Sequence, residues 1–379
     1  AAIGNHAFDS CTSLRTVSIP MNSNLSIIGD HAFYNCRSLE SFQLPTNVRK
    51  IGDSAFEGCV NMTAINLLGE SAKGTAMVLS TIGYDAFKDC RSLPQIVFPE
   101  NYNETLDVAT FRGCSGLRYI ESYSSSFSLD GYDNANSTLA KESLASDYGF
   151  SYFYNGQNLT ANSGMRSDFY LKGIENSKLH EIADAQGIPF NYDEKDQDGN
   201  ILNNVYELTV YETKKDDDGN EIGIDKNKPI ATYRVDSREG ENGYLVGCDI
   251  AKGDTVKIPA VVGPRNVIGI AAAAFQDNCL LKSVTIPSTI KTIDAEAFKG
   301  CHNLKNVAFS NPSGLTIGDG AFKTQQKVRA THNGSCNGLE RTPSLNFIAP
   351  ITYGEHEPFY YAMSPAENIN SEAPGDNQQ

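Results

Sequence analysis

Ile28-Gly29-Asp30-His31-Ala32-Phe33-Tyr34-Asn35-Cys36-Arg37-Ser38-Leu39-Glu40-Ser41-Phe42-Gln43-Leu44-Pro45 is one full statement of a phrase that the chain repeats. Aligned on its phenylalanine, the phrase occurs eight times, at Phe8, Phe33, Phe56, Phe87, Phe111, Phe275, Phe298 and Phe322. The intervals are 25, 23, 31, 24, 164, 23 and 24 residues, so five copies make one run and three make another. Five residues before each Phe stands Ile, or Leu106 in the fifth copy; one before it stands Ala, or Thr110. Three after it come Cys11, Cys36, Cys59, Cys90, Cys114 and Cys301. Six after it comes Leu or Met62 in the first seven copies, followed by apolar pairs such as Val17 and Ile19 or Val284 and Ile286. Pro20, Pro45, Pro99 and Pro287 then close the phrase.

The first half places apolar residues at offsets of four, five and eight, the spacing of one face of two helical turns. It predicts a short helix in each copy, with Asp30, Asp53 and Asp319 where an N-cap would serve. The second half alternates with period two, as in Val17-Ser18-Ile19, and predicts a short strand that Pro ends because it lacks a ladder donor. A unit of ~23 residues cannot bury its own apolar side, but units stacked at the ~4.8 Å strand spacing share one continuous core. The expected fold is an α/β solenoid of leucine-rich-repeat type, one short strand and one short helix per coil, with each Phe buried over the next. Full burial of one Phe contributes roughly 1.5–3 kcal/mol.

With the Ile…Ala-Phe cores, the in-frame Cys and the Leu-x-x-Val-x-Ile-Pro strands, the chain resembles the BspA-like leucine-rich-repeat surface proteins of bacteria, over about residues 1–123 and 256–322. It departs from the pattern at Leu106-Asp107 and Thr110, at Asn278 in the Cys place with Cys279 one residue late, and at Gln325 in the eighth copy. The resemblance implies an extracellular, cell-surface protein used in adhesion or protein–protein contact, with a host or neighbouring-cell surface protein as partner. It implies no catalytic residues and no cofactor.

The expected organisation has four parts. Residues 1–192 form the first array, its end built of degenerate repeats, with helical pieces at Thr138 to Ser146 and at Ser177 to Gln186, the latter stopped by Gly187. Residues 193–255 form an acidic linker and β insert capping the second array. Val205 to Thr213 and Ile230 to Val235 read as paired strands, with Asp217-Asp218-Gly219-Asn220 as a hairpin-type turn. Residues 191–241 carry 14 acidic and 7 basic side chains, a net of −7 within a chain total of −15. Residues 256–345 form the second array, and 346–379 a tail or linker, disordered from about Glu367. Residue 1 falls inside a repeat, so the chain reads as a mature or trimmed product, and the missing signal peptide is no evidence for a cytoplasmic home.

A net charge of −15 argues against binding phosphate backbones or anionic membrane, both of which select Lys and Arg. The longest apolar stretch, Val267 to Phe275, is too short to span a bilayer, so no direct membrane insertion is expected. The signatures Gly-x-Ser-x-Gly, His-Glu-x-x-His, Gly-Lys-Ser/Thr and the dinucleotide fingerprint do not occur, and His180-Glu181 lacks its second His. The expectation is a non-enzyme. The six in-frame cysteines read as a buried column of reduced thiols rather than disulfides, because side chains pointing alongside one another suit S–S geometry poorly. Cys248, Cys279 and Cys336 fall outside the column. His6 and His31 share a repeat position and could stack, but two imidazoles followed by Ser54 and Asp85 read as solvated side chains, and no metal site is expected. The acidic loops around Gly199 and Gly219 lack the bidentate Glu of a calcium loop, with Val205 standing twelfth in the first, and read as turns.

Outward strand positions supply the candidate binding surface: Thr16, Ser18, Ser41, Gln43, Asn66, Gln95, Tyr119, Glu121, Ser283, Thr285 and Asn306. Most of these are small and polar, which fits a weak, repetitive, multivalent contact that no single substitution abolishes. The alternatives are a rigid spacer presenting another domain, and a glycan-binding or glycan-cleaving module around 124–192, which would need clustered Tyr beside carboxylates. A localised site would fall in 119–170, with the Tyr-rich stretch 119–154 as the candidate patch. Partner identity and oligomeric state stay open.

Overall fold

The computed structural model describes residues 1–130, 169–322, 328–332, 346–347 and 359–362, apart from 71–72, 75, 216, 220, 239, 252–254 and 311–313. The helical piece expected at Thr138 to Ser146, most of the Tyr-rich stretch beyond 130, Cys336 and the tail from Glu367 lie outside these residues. Contacts divide the chain into one unit ending at Asn200 and one starting at Ile201.

In the first unit each coil carries two short strands. The Ile-Gly strands Ala2–Ile3, Ile27–Ile28, Lys50–Ile51 and Thr81–Ile82 pair in parallel, which aligns Ile3, Ile28, Ile51 and Ile82. Leu106 and Leu129 continue the motif on the parallel pair Thr105–Asp107 and Ser128–Asp130. The second strand line begins with Thr16 bridged to Ser41 and the pair Ser41–Gln43 and Ala64–Asn66. Further along it, Gln95–Phe98, Tyr119–Ser122, Tyr170–Gly173 and Phe190–Lys195 are parallel neighbours. Between the last two runs the helix Lys178–Gln186, stopped by left-handed Gly187 as its sequence predicts, with Ser177 as its cap rather than its first residue.

The phenylalanines stack as a column. Ring centroids lie 5.1, 5.3, 5.7 and 6.0 Å apart from Phe8 through Phe33, Phe56 and Phe87 to Phe111, with planes within 8° of parallel. Phe33, Phe56, Phe87 and Phe111 are buried. Phe8 departs from the expectation of burial at 37% exposure, because its ring stacks on Phe33 alone.

Among the described residues the α-helix expected in each coil is not there; the fifth coil alone has a short 3-10 segment, Val108–Phe111. Between the Ile-Gly strand and the Leu, the chain runs through consecutive turns whose N–H groups alternate in direction. Ala32, Tyr34 and Cys36 donate three residues back, to the carbonyls of Gly29, His31 and Phe33, while His31, Phe33 and Asn35 donate to Asp53, Ala55 and Glu57 of the next coil. An α-helix would keep all these donors within its own coil. Spending every second one on the neighbour welds the stack instead. The alternation requires left-handed backbone two residues before and two after the Phe, seen at His6, Ser10, His31, Asn35, Ser54, Gly58, Asp85 and Asp89. The aspartates are likewise not helix caps. Asn5, Asp30 and Asp53 reach into the next coil, where their Oδ1 atoms accept from the backbone N–H of Asp30, Asp53 and Tyr84 at 3.0, 3.1 and 2.9 Å. The close passage of the preceding coil explains the glycine of Ile-Gly: a Cβ on Gly52 would collide with Asp30 Oδ1 and with the backbone of Gly29 and Asp30.

The second unit repeats the device in fewer coils. Phe275, Phe298 and Phe322 stack at 4.6 and 4.8 Å. Parallel strands Thr255–Lys257, Ser283–Ile286, Asn306–Phe309 and Val328–His332 form one line, which Phe359–Ala362 and then Asn346–Phe347 extend antiparallel. Arg265–Ile270, Thr292–Ile293 and Thr316–Ile317 form the other. Asn242–Ile250 joins that second line in parallel on Arg265–Ile270, and the long antiparallel hairpin Ile201–Lys215 and Glu221–Asp236 follows it.

Candidate functional site

The period-two pattern of Gln95–Phe98, Tyr119–Ser122 and Tyr170–Gly173 sends Ile96, Ile120 and Leu171 into the core, where all three are fully buried. The alternate positions come together in register on the outer side, Gln95 beside Tyr119 beside Tyr170, and Val97 beside Glu121 beside Lys172. Tyr119 and Tyr170 stack with centroids 5.1 Å apart, and the Tyr119 hydroxyl donates to Gln95 Oε1 at 2.6 Å. Lys172 Nζ sits 3.0 Å from Glu121 Oε1 and 6.0 Å from the centre of the Tyr119 ring. Burial, and then the neighbouring Glu121, push the Tyr123 phenol up to about 12. Lys73 Nζ lies 5.9 Å over the Tyr123 ring.

Glu121 is thus not on the solvent face as expected. It is 5% exposed, because Lys172 and Tyr123 close over it. A buried carboxylate needs such partners. Thr16, Ser18, Ser41 and Gln43 are exposed as expected, though Thr16 makes only an isolated bridge and Ser18 lies outside any strand. Asn66 is half-buried and occupied locally: its amide donates to the Gly69 carbonyl at 2.8 Å and its Oδ1 accepts from Leu68 N–H at 2.9 Å. In the second unit Ser283 stands beside Asn306, and Thr285 beside Ala308, with Asn306 exposed and the two hydroxyl residues half-buried. Sequence reasoning placed Tyr123 and Tyr170 within the stretch where a localised site would fall without naming either, and it missed Lys172. Tyr170 and Lys172 lay in a stretch readable as a strand, but nothing in the chain indicated that it pairs with Tyr119 across an irregular segment.

The thiol column forms as expected in most coils. The thiols of Cys36, Cys59, Cys90, Cys114 and Cys301 donate to the carbonyls of Phe8, Phe33, Phe56, Phe87 and Phe275 in the preceding coil, at 2.9–3.3 Å. Each of those carbonyls also accepts the N–H of the residue three ahead in its own coil, so the thiol serves an already used acceptor from the next coil. Burial pushes Cys36 up to about 11 and Cys114 and Cys301 up to about 12, and raises Cys59 and Cys90 further. These are poor nucleophiles. Cys11 and Cys279 are exposed, whereas Cys248 is buried opposite Tyr233. In the loop around Gly199, Asp196 accepts from the N–H groups of Asp198 and Asn200 at 2.9 and 2.8 Å, as a turn residue does. On the turn side, Lys88 Nζ bridges Glu57 at 2.8 Å and Asp85 at 3.3 Å, with Arg112 3.6 Å from Asp85, an ion network that ties successive coils.

A stack of parallel coils, each with an Ile-Gly strand, a turn ladder on Phe and a Leu-led strand, defines a leucine-rich-repeat solenoid. More narrowly, the chain belongs to the BspA type leucine-rich-repeat family, whose model matches in six copies over residues 1–140, 80–167 and 254–340. No curated protein matches it. Among solved structures it is similar to a leucine-rich cell surface protein of Faecalibacterium prausnitzii, with 20% identity over 85% of this chain and 74% of that one and a TM-score of 0.28. It is also similar to a leucine-rich-repeat protein of T. pallidum, with 26% identity over 38% and 74% and a TM-score of 0.26. A leucine-rich-repeat protein of Bacteroides ovatus shows 18% identity over 79% of each chain and a TM-score of 0.20. Among the described residues no helix is long and apolar enough to cross a membrane.

Proposed function

We propose that this chain is a non-enzymatic binding module of a bacterial cell-surface protein, and that it holds a host or neighbouring-cell protein through the strand face of its first unit. Family membership supports the placement outside the cell and the binding role, since the family is a repeat scaffold. One observation carries the site: the outer column changes from exposed Ser41 and Gln43 to the braced group Gln95, Tyr119, Tyr170, Glu121 and Lys172. Tight interfaces concentrate their energy in a few aromatic and basic anchors that are already rigid. Tyr119 and Tyr170 meet that description. The contact is therefore centred on one place rather than shared equally among coils.

The same geometry favours a protein partner over a glycan. The two tyrosine rings cover one face of each other, which removes platform area that a sugar ring would use. The test is binding of the purified chain to a panel of extracellular-matrix and mucosal proteins, each before and after enzymatic deglycosylation. Binding that survives deglycosylation supports the reading. Binding that vanishes with the glycans, or turnover of any panel member, overturns it.

A further inference from the structure

We propose that the open end of the first coil is a docking surface for one occupant: a further coil of the same repeat, running in the same direction and covalently continuous with the stack. In the second coil the core positions Ile28, Ala32, Phe33, Cys36 and Leu39 are all buried. Their counterparts in the first coil, Ile3, Ala7, Phe8, Cys11 and Leu14, are all exposed or half-buried. A repeat unit buries this side only against a neighbour.

The backbone specifies that neighbour. In the second coil the carbonyls of Asp30, Ala32 and Tyr34 accept from the N–H groups of His6, Phe8 and Ser10 at 3.0, 2.8 and 2.7 Å. The matching carbonyls of Asn5, Ala7 and Asp9 accept from no described residue of a neighbouring coil. The Gly29 N–H donates to the Ile3 carbonyl at 2.9 Å, and the Asp30 N–H to Asn5 Oδ1 at 3.0 Å. The matching N–H groups of Gly4 and Asn5 have no such partner among the described residues. The end therefore offers two donors followed by three acceptors, in the order that recurs between the coils of the stack. A coil running the same way, with Asn or Asp after its own Ile-Gly and N–H groups free at alternate turn residues, satisfies all five. A second copy meeting this end with its own first coil would set carbonyl against carbonyl and leave all three without a donor.

Two residues of the first coil are fitted to that occupant. At Gly29, Gly52 and Gly83 a Cβ would collide with the side-chain oxygen of Asn5, Asp30 or Asp53 in the coil before. Gly4 is also glycine, although a Cβ there meets nothing within 4 Å. Cys11 likewise holds the thiol position. The thiols of Cys36, Cys59, Cys90 and Cys114 donate to a Phe carbonyl in the preceding coil, and Cys11 has no such carbonyl among the described residues. A coil with Asn or Asp after its glycine and Phe in its column supplies what both residues lack.

The test extends the full chain by one coil, a copy of residues 26–48 joined directly to Ala1, so that the copied Asp30 faces Gly4 as the native one faces Gly52. An extension of the same composition in scrambled order is the control. The ordered coil should raise the melting temperature by several degrees. It should slow labelling of Cys11 by about tenfold or more, since burial protects a thiol, while exposed Cys279 reacts as before. Gly4→Ala should lower the melting temperature of the extended chain and leave that of the parent unchanged. The scrambled extension should do none of this. Cys11 that labels equally fast in parent and extended chains, or Gly4→Ala that is silent in the extended chain, overturns the proposal. So does a parent chain that self-associates in sedimentation with Cys11 protected, because the occupant is then a second copy.

Discussion

The strand face at Ser41–Asn66 and the strand face at Tyr119–Lys172 are built by the same in-register parallel pairing, yet they can do different things. In the first, the outward positions are Ser41, Gln43, Ala64 and Asn66, and only Asn66 is tied down, by its own loop at Gly69 and Leu68. In the second, the register places Tyr on Tyr and Lys on Glu, so each group is fixed by its neighbour before any partner arrives. The buried phenylalanine column shows the same effect inside the protein. A solenoid multiplies whatever it repeats: an apolar ring becomes a core, and an outward pair becomes a preorganised patch. The patch arises where the repeat is least regular, because regular coils carry only small outward residues.

The largest expected effect is on the core that both faces share. Phe56→Ala should cost about 3–5 kcal/mol, seen as a large fall in melting temperature, since it empties a fully buried place between two stacked rings. An unchanged melting temperature would show that the register is wrong. Next come the anchors: Tyr119→Ala or Tyr170→Ala should weaken partner binding by about 2 kcal/mol, roughly thirtyfold. Gln43→Ala should stay within about twofold by the same measure, as a residue outside the anchor group.

A paired glycine test probes the weld between coils. Gly52→Ala should destabilise by about 1–3 kcal/mol, because its Cβ would collide with Asp30 and with the Gly29 backbone of the preceding coil. Gly4→Ala has nothing within 4 Å and should leave stability nearly unchanged in the same denaturant titration. Equal effects would remove the close passage of the preceding coil as the reason for Ile-Gly. The smallest effect lies in the thiols, which pH should expose. Cysteines ionise near 9.0 when unfolded, while Cys36 holds its proton to about 11 and Cys114 and Cys301 to about 12. The unfolded chain therefore binds fewer protons than the folded one above pH 9, so their contribution is complete below pH 9 and is lost between about 9 and 12. Replacing Cys114 by Ala should flatten that alkaline decline. In native labelling Cys11 and Cys279 should react first, and Cys36, Cys59, Cys90 and Cys301 only on unfolding.

Much of the core was legible because an apolar residue at a fixed offset has one place to go: Val284 and Ile286 are buried where the alternation put them. Gly187 and the hairpin around Gly219 were legible for local reasons of helix-stop and turn chemistry. The coil turns were misread because offsets of four, five and eight fit both a helix and a ladder of tight turns. The discriminating signal was present: Ser10, Asn35, Gly58, Asp89 and Gly113 share one position, and most are residues that accept left-handed backbone. Half of the candidate site was legible, since Gln95 and Tyr119 followed from alternation. The other half was not, because Tyr170 and Lys172 meet their partners through a long-range register that no local pattern encodes.

The most direct test compares two double variants against one immobilised matrix protein that the parent chain binds. Tyr119→Ala/Tyr170→Ala and Ser41→Ala/Gln43→Ala each alter two outward positions of the same strand face, and circular dichroism would show both to be folded. The tyrosine double variant should lose at least thirtyfold in affinity, while the Ser41/Gln43 variant should stay within about twofold of the parent. Equal losses in the two, or full binding by the tyrosine variant, would contradict a localised anchor and return the function to a surface spread along the coils.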